Sequence, residues 1–159
     1  MAELTRRLAI TCGAAGVVVL CGAAEAPTLT YNPNHYINDD PVWTLLNETQ
    51  VVTDLKKGEF HATFSPGLLA RQSKRLRVVG FILPLEPTSQ SAHFSLVRRN
   101  TACPFCPPNA PTEAVEVFAK AAVRYTGEEL AMEGDLKLVA ASDQGLFFRL
   151  QNAEVVPAR

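Results

Sequence analysis

The sequence predicts a mainly β protein built on one small, strongly curved five-stranded barrel with a short helix before it. Three observations predict this. The 159 residues are 47% apolar and 19% charged, with a formal net charge of −1, which fits a single domain around one core. The second half of the chain is a succession of β-branched and aromatic runs separated by turn residues. Two of those runs carry a glycine at mid-strand, Gly80 and Gly134, and glycine inside a strand marks a bulge or sharp bend.

Residues 1–26 read as an export signal. Arg6 and Arg7 form a positive start, Leu8 to Leu20 is apolar and rich in Gly and Ala, and Ala24-Glu25-Ala26 supplies a cleavage site. Gly13 and Gly16 weaken the alternative of a buried helix, and a membrane span needs about 20 apolar residues. Pro27 directly after the cut leaves cleavage after Ala24 open. Thr5-Arg6-Arg7-Leu8 resembles a twin-arginine signal. Val18-Val19-Leu20-Cys21 approaches a lipoprotein box but has Leu20 where a small residue belongs. The expectation is a periplasmic protein exported by the general route, with no stable membrane span after cleavage. Cleavage removes Arg6, Arg7, Glu3 and Glu25, so the balance stays at −1. That excludes nucleic-acid binding by a basic surface.

Residues 27–58 read as an extended arm followed by a short helix, and residues 59–159 as the barrel domain. The polar stretch 27–40 holds Pro27 and Pro33 and reads as extended. Asp40 before Pro41 fits an N-cap with proline at the first helical position, so Val42 to Glu48 is expected to be helical. Val51 to Phe64 alternates weakly around a turn at Lys56-Lys57-Gly58-Glu59. Ser65-Pro66-Gly67 breaks that run, and Leu68 to Gln72 is a candidate helical turn.

Five strands follow. Leu76 to Leu83 is β-branched and apolar and stops at Pro84. His93 to Val97 and Ala114 to Phe118 alternate. Leu130 to Val139 places Met132, Gly134, Leu136 and Leu138 on one face, and Leu146 to Val155 sets Phe148 and Leu150 opposite Arg149 and Gln151. Ala121 to Glu129 lies between strands three and four, where an OB-fold carries its helix. An OB-like barrel is therefore the first expectation, and a β-sandwich or SH3-like barrel the second.

The chemistry-bearing segment is the loop between strands two and three. Export removes Cys12 and Cys21, leaving Cys103 and Cys106 in Cys103-Pro-Phe-Cys106, flanked by Pro107, Pro108 and Pro111. Prolines stiffen the loop by fixing φ and removing backbone donors. Three readings compete. The cysteines form a structural disulfide, as exported thiol pairs usually do. Alternatively they are two ligands of a transition metal, with zinc first and Cu(I) also suited to thiolates. The further ligand is then His93 on the preceding strand, ahead of His61 and His35 upstream. Finally, they exchange disulfides like a glutaredoxin motif, although no βαβ context surrounds them.

Lys74-Arg75-Leu76-Arg77 and Arg98-Arg99 are small basic clusters able to line a groove for an anion, and Glu113, Glu116, Glu128 and Glu129 read as solvated charges. No P-loop, dinucleotide fingerprint or zinc-protease motif occurs.

The run Leu76-Arg-Val-Val-Gly-Phe-Ile-Leu-Pro-Leu85 is followed by His93-Phe-Ser-Leu, Cys103-Pro-Phe-Cys-Pro-Pro108 and Glu113-Ala-Val-Glu-Val117. Together with Glu133-Gly-Asp-Leu and Phe148-Arg-Leu…Ala153-Glu-Val, this resembles domain-of-unknown-function family 3299, small exported bacterial proteins, over roughly residues 60–156. Similar proteins sometimes carry His at the place of Cys106, the exchange expected of a metal ligand. Some members are associated with transporters linked to zinc supply, so the resemblance implies metal handling, with a metal transporter or other envelope protein as partner. It brings no enzyme activity. The resulting expectation is a non-enzymatic periplasmic barrel that handles zinc or copper through Cys103, Cys106 and His93. The alternatives are a thiol oxidoreductase, or an interaction domain with a disulfide-bonded loop.

Overall fold

Asp40 opens the first helix as its side chain requires. Its Oδ1 accepts from the Val42 N–H at 3.0 Å, and Pro41 occupies the first turn of α1, Pro41–Leu46. The structure, a computed structural model, describes residues 36–102 and 108–157. Residues 1–26, expected to be an export signal, the arm up to residue 35, Cys103 and Cys106 lie outside the described residues. No helix among the described residues is long and apolar enough to cross a membrane.

After α1, strands β1 (Gln50–Asp54) and β2 (Glu59–Thr63) form a hairpin. Gly58, at φ +66°, turns the chain between them. β2 also pairs with the two-residue β7, Ala141–Ser142, making a small three-stranded sheet. Ser65 caps the single-turn α2, Pro66–Leu69. Periodicity had marked the hairpin but not the third strand. A two-residue strand carries no pattern, so only its partner reveals it.

The barrel consists of β3 (Arg75–Pro84), β4 (Gln90–Val97), β5 (Ala114–Arg124), β6 (Glu129–Leu138) and β8 (Phe148–Val156). It closes in the order β3-β4-β5-β8-β6, with β6 returning to β3. Only the β5–β8 pair is parallel. This is the closed five-stranded mixed barrel anticipated, with the strand order of an OB-fold. Val78, Phe94, Leu96, Val115, Val117, Met132, Leu136, Phe148 and Leu150 are buried in its core.

One detail differs from expectation. The segment 121–129 forms no helix: β5 continues to Arg124, pairing with Gln90, and β6 begins at Glu129. Val123 and Tyr125 pack against the core instead, with Tyr125 edge-on to Phe94. That leaves too few residues for a helical turn.

The two mid-strand glycines sit where the barrel is tightest. A Cβ on Gly80 would lie 2.6 Å from the Val97 carbonyl oxygen and 3.0 Å from Trp43 Cζ2. A Cβ on Gly134 would lie 2.8 Å from the Gln151 oxygen, at the register shift between Glu133 and Asp135. The space beside Gly80 is filled by Trp43, the protein's single tryptophan. Its indole N–H donates to the Val79 carbonyl at 2.8 Å and to Asn38 Oδ1 at 3.1 Å, so α1 is bolted to β3 by a satisfied polar contact.

Gly80→Ala is expected to destabilise the fold by about 2–3 kcal/mol, because neither backbone oxygen nor indole can withdraw without unpacking α1. Urea unfolding followed by Trp43 fluorescence checks this, and an unchanged midpoint would contradict it.

Candidate functional site: the base of the cysteine loop

β4 ends at Val97, and the next three residues form one stem of the loop that carries Cys103 and Cys106. The other stem is Pro108 to Glu113. The Arg98 N–H donates to the Glu113 carbonyl at 3.0 Å, continuing the β4–β5 ladder by one bond. Beyond it a side chain replaces a strand. The Arg99 N–H donates to Asn109 Oδ1 at 2.8 Å, and Asn109 Nδ2 donates back to the Arg99 carbonyl at 3.1 Å. The Asn amide thus reproduces the donor–acceptor pair of an antiparallel partner.

Glu113 closes a short 3₁₀ turn, Pro111–Glu113, and is buried. Its Oε1 accepts from Arg98 Nη1 at 3.1 Å and Arg99 Nη2 at 3.0 Å, and its Oε2 accepts from the Ala110 N–H at 3.1 Å. Burial pushes the Glu113 carboxyl upward. The Ala110 N–H and the Arg99 and Arg98 guanidinium groups outweigh this and hold it below the ordinary value. One carboxylate therefore joins both stems and both arginines.

The arm braces the first stem from its other side. The Asn38 N–H donates to the Arg98 carbonyl at 2.9 Å, the Asn100 N–H donates to the Tyr36 carbonyl at 2.8 Å, and Ile37 bridges Arg99. Asn38 Nδ2 reaches Glu129 Oε1 at 3.0 Å, and Asn100 Nδ2 reaches the Gly127 carbonyl at 3.0 Å. A cleft of about 320 Å³ opens beside both stems, lined by Leu83, Val97, Thr101, Pro108, Pro111 and Leu146 among others.

His93 stands elsewhere, in the middle of β4. Its ring stacks on Phe118 at a centroid distance of 4.5 Å, and its Nε2 lies 2.9 Å from Glu116 Oε1. Arg149 Nε donates to the other oxygen of Glu116 at 2.5 Å. The strand register explains the group, because His93 pairs with Phe118, and Ser95 and Arg149 pair with Glu116. His61 is exposed on β2, 3.8 Å from Glu59, and His35 lies outside the described residues. Among the described residues, no three His, Cys, Asp or Glu side chains converge to hold a metal ion.

Two expectations are corrected. Glu113 and Glu116 are buried ion-pair partners rather than solvated charges. Arg98 and Arg99 are held by Glu113 and do not line an anion groove. Alternation around Val115 and Val117 correctly points Glu116 out of the barrel. No sequence signal says that the outer face there is covered.

What fold and site define is a small OB-like barrel protein in which hydrogen bonds and ion pairs join the two stems flanking the cysteine segment. A crystal structure of a DUF3299 family protein from Pseudomonas aeruginosa PAO1 is similar to this chain, with 22% identity and a TM-score of 0.44 over 62% of this chain and 69% of that one. It carries the name of the family that the sequence motifs resemble. No protein-family model and no curated protein matches the chain.

Glu113→Gln is expected to cost about 2 kcal/mol at pH 7, since it removes charge from hydrogen bonds to two guanidinium groups. The Glu113 value is lowered on folding, so its contribution is complete above the ordinary value of 4.5 and is lost as pH falls through the folded value. The gap between wild type and variant should therefore shrink over the acid range in which pH falls below 4.5 and through the lowered folded value. A constant gap across that range in denaturant melts would refute the assignment.

Proposed function

We propose that this is an exported, non-enzymatic accessory protein whose Cys103 and Cys106 hold a transition metal, zinc first and copper second, for an envelope partner such as a metal transporter. The observation that supports this reading is the braced loop base. Two soft ligands spaced C-x-x-C form half of a tetrahedral site. A loop whose stems are joined by Asn109, Glu113, Arg98 and Arg99 loses less conformational entropy when a metal binds than a free loop would. In this reading the cysteines are the heart of the site, and the described residues alone supply no metal cluster.

His93 is the third ligand in this reading. Its Nε2 faces Glu116, which is how a carboxylate orients a ligating imidazole, leaving Nδ1 for the metal. Distance sets a condition. Five residue steps of strand lie between His93 and Arg98, about 16 Å, and the stem turns at Thr101 and Ala102 before the cysteine segment. The loop must therefore fold back along β4 for His93 to ligate.

Zinc titration of the reduced protein, with metal content measured after purification from the periplasm, tests the reading. Stoichiometric binding that is lost by at least about tenfold in Cys103→Ser and Cys106→Ser is the expected outcome. A fully oxidised pair with no zinc uptake after mild reduction would refute it in favour of a structural disulfide. Reduction of a test disulfide that vanishes in Cys103→Ser would assign the loop to thiol exchange instead. Weaker binding in His93→Ala places His93 among the ligands, and unchanged affinity removes it.

A further inference from the structure

The basic cluster Lys74-Arg75-Leu76-Arg77 plays no part in the cysteine loop, and the structure sorts its members. Arg77 Nη1 is held by Asp40 Oδ2 at 3.1 Å, the same carboxylate that caps α1. Arg75 is held by Glu133 at 3.1 Å and Glu154 at 2.7 Å. Both guanidinium groups are thereby oriented, and each keeps further N–H donors. Beside them opens a cleft of about 350 Å³, walled by Pro41, Val42 and Leu45 of α1 and Leu76 of β3, with Arg71, Arg75 and Arg77 at its edge.

Arg71 is the cation here without a carboxylate partner among the described residues. The turn that carries it is fixed. Ser73 is held at φ +62°, a conformation uncommon for a residue other than glycine. Its N–H donates to the Leu136 carbonyl at 2.7 Å, and the Lys74 N–H donates to the Arg71 carbonyl at 3.0 Å. β6 thus pins a strained turn that sets Arg71 beside an apolar wall.

We propose that this cleft binds a small organic anion with an apolar body, a carboxylate or phosphate monoester on a short alkyl chain. The chemistry is dictated by the lining: a guanidinium with no carboxylate partner among the described residues, Arg71, beside the oriented guanidinium of Arg77 on one side, and aliphatic surface on the other. Size sets the limit, because the volume is at the small end of the range of about 300–1,000 Å³ in which proteins bind small molecules. The anion faces Arg71 and the spare donors of Arg77, and the alkyl chain covers Pro41 and Leu45, the accessible apolar residues of the lining. The lining shares no residue with the stems of the cysteine loop, so the proposal stands whether or not that loop holds a metal.

Calorimetric titration of the full chain with octanoate and octyl phosphate tests the proposal, with octanol and octylamine as controls. Saturable binding of both anions is expected, at least about tenfold tighter than either control, and reduced at least about tenfold in Arg71→Ala. Arg71 is exposed, so its replacement leaves the core intact, and Arg71→Lys is expected to keep most of the affinity. Absence of saturable binding, equal binding of octanol, or an unchanged affinity in Arg71→Ala would overturn the proposal. So would capture by vesicles of anionic phospholipid without uptake of either soluble anion, which would assign the patch to a membrane surface.

Discussion

A single buried carboxylate organises the base of the cysteine loop. Glu113 sits at the start of β5 with two arginines on one oxygen and a backbone amide on the other. Burying a charge is costly unless it is paired and its lone pairs are satisfied, and here both conditions hold. Every other feature of the loop base follows from that pairing. Arg98 and Arg99 leave β4 pointing at Glu113, with the Arg99 backbone bonded to Asn109 on one side and the Arg98 carbonyl accepting from the Asn38 N–H on the other. The arm, the end of β4 and the start of β5 meet at one stem, and the cysteine loop emerges from it.

The barrel supplies the frame. Closing five strands requires sharp bends, and the bends at Gly80 and Gly134 bring backbone within van der Waals reach of where a side chain would be. Trp43 uses the room left by Gly80 and ties α1 to β3 through its indole N–H. The same helix then forms the wall of the cleft beside Arg71. One packing contact thus places both the N-terminal brace and the second candidate site.

The barrel was legible because its signals are local. Alternation, β-branched runs, Pro84 and the mid-strand glycines each report on their own neighbourhood. The N-cap at Asp40 was legible for the same reason, through one side chain and the proline after it. The helix expected between β5 and β6 came from the place an OB-fold gives it, and pairing of Val123 and Arg124 with β4 makes that stretch strand instead. The site was half legible. Cys103 and Cys106 are visible as a motif, whereas Asn109 and Glu113 look like ordinary loop polar residues until their partners on the other stem are known.

Residue order alone pointed to a mainly β fold with five successive barrel strands, and to the C-x-x-C segment at Cys103 and Cys106. Those are matters of periodicity, propensity and covalent spacing. Tertiary structure alone decided which charges are buried and paired. Glu116 meets His93 and Arg149 from two neighbouring strands, one antiparallel and one parallel. Arg75 is neutralised by carboxylates 58 and 79 residues away in the chain, while Arg71 beside it is not. Charge partnership is a property of distances in space, and no local pattern in the chain encodes them.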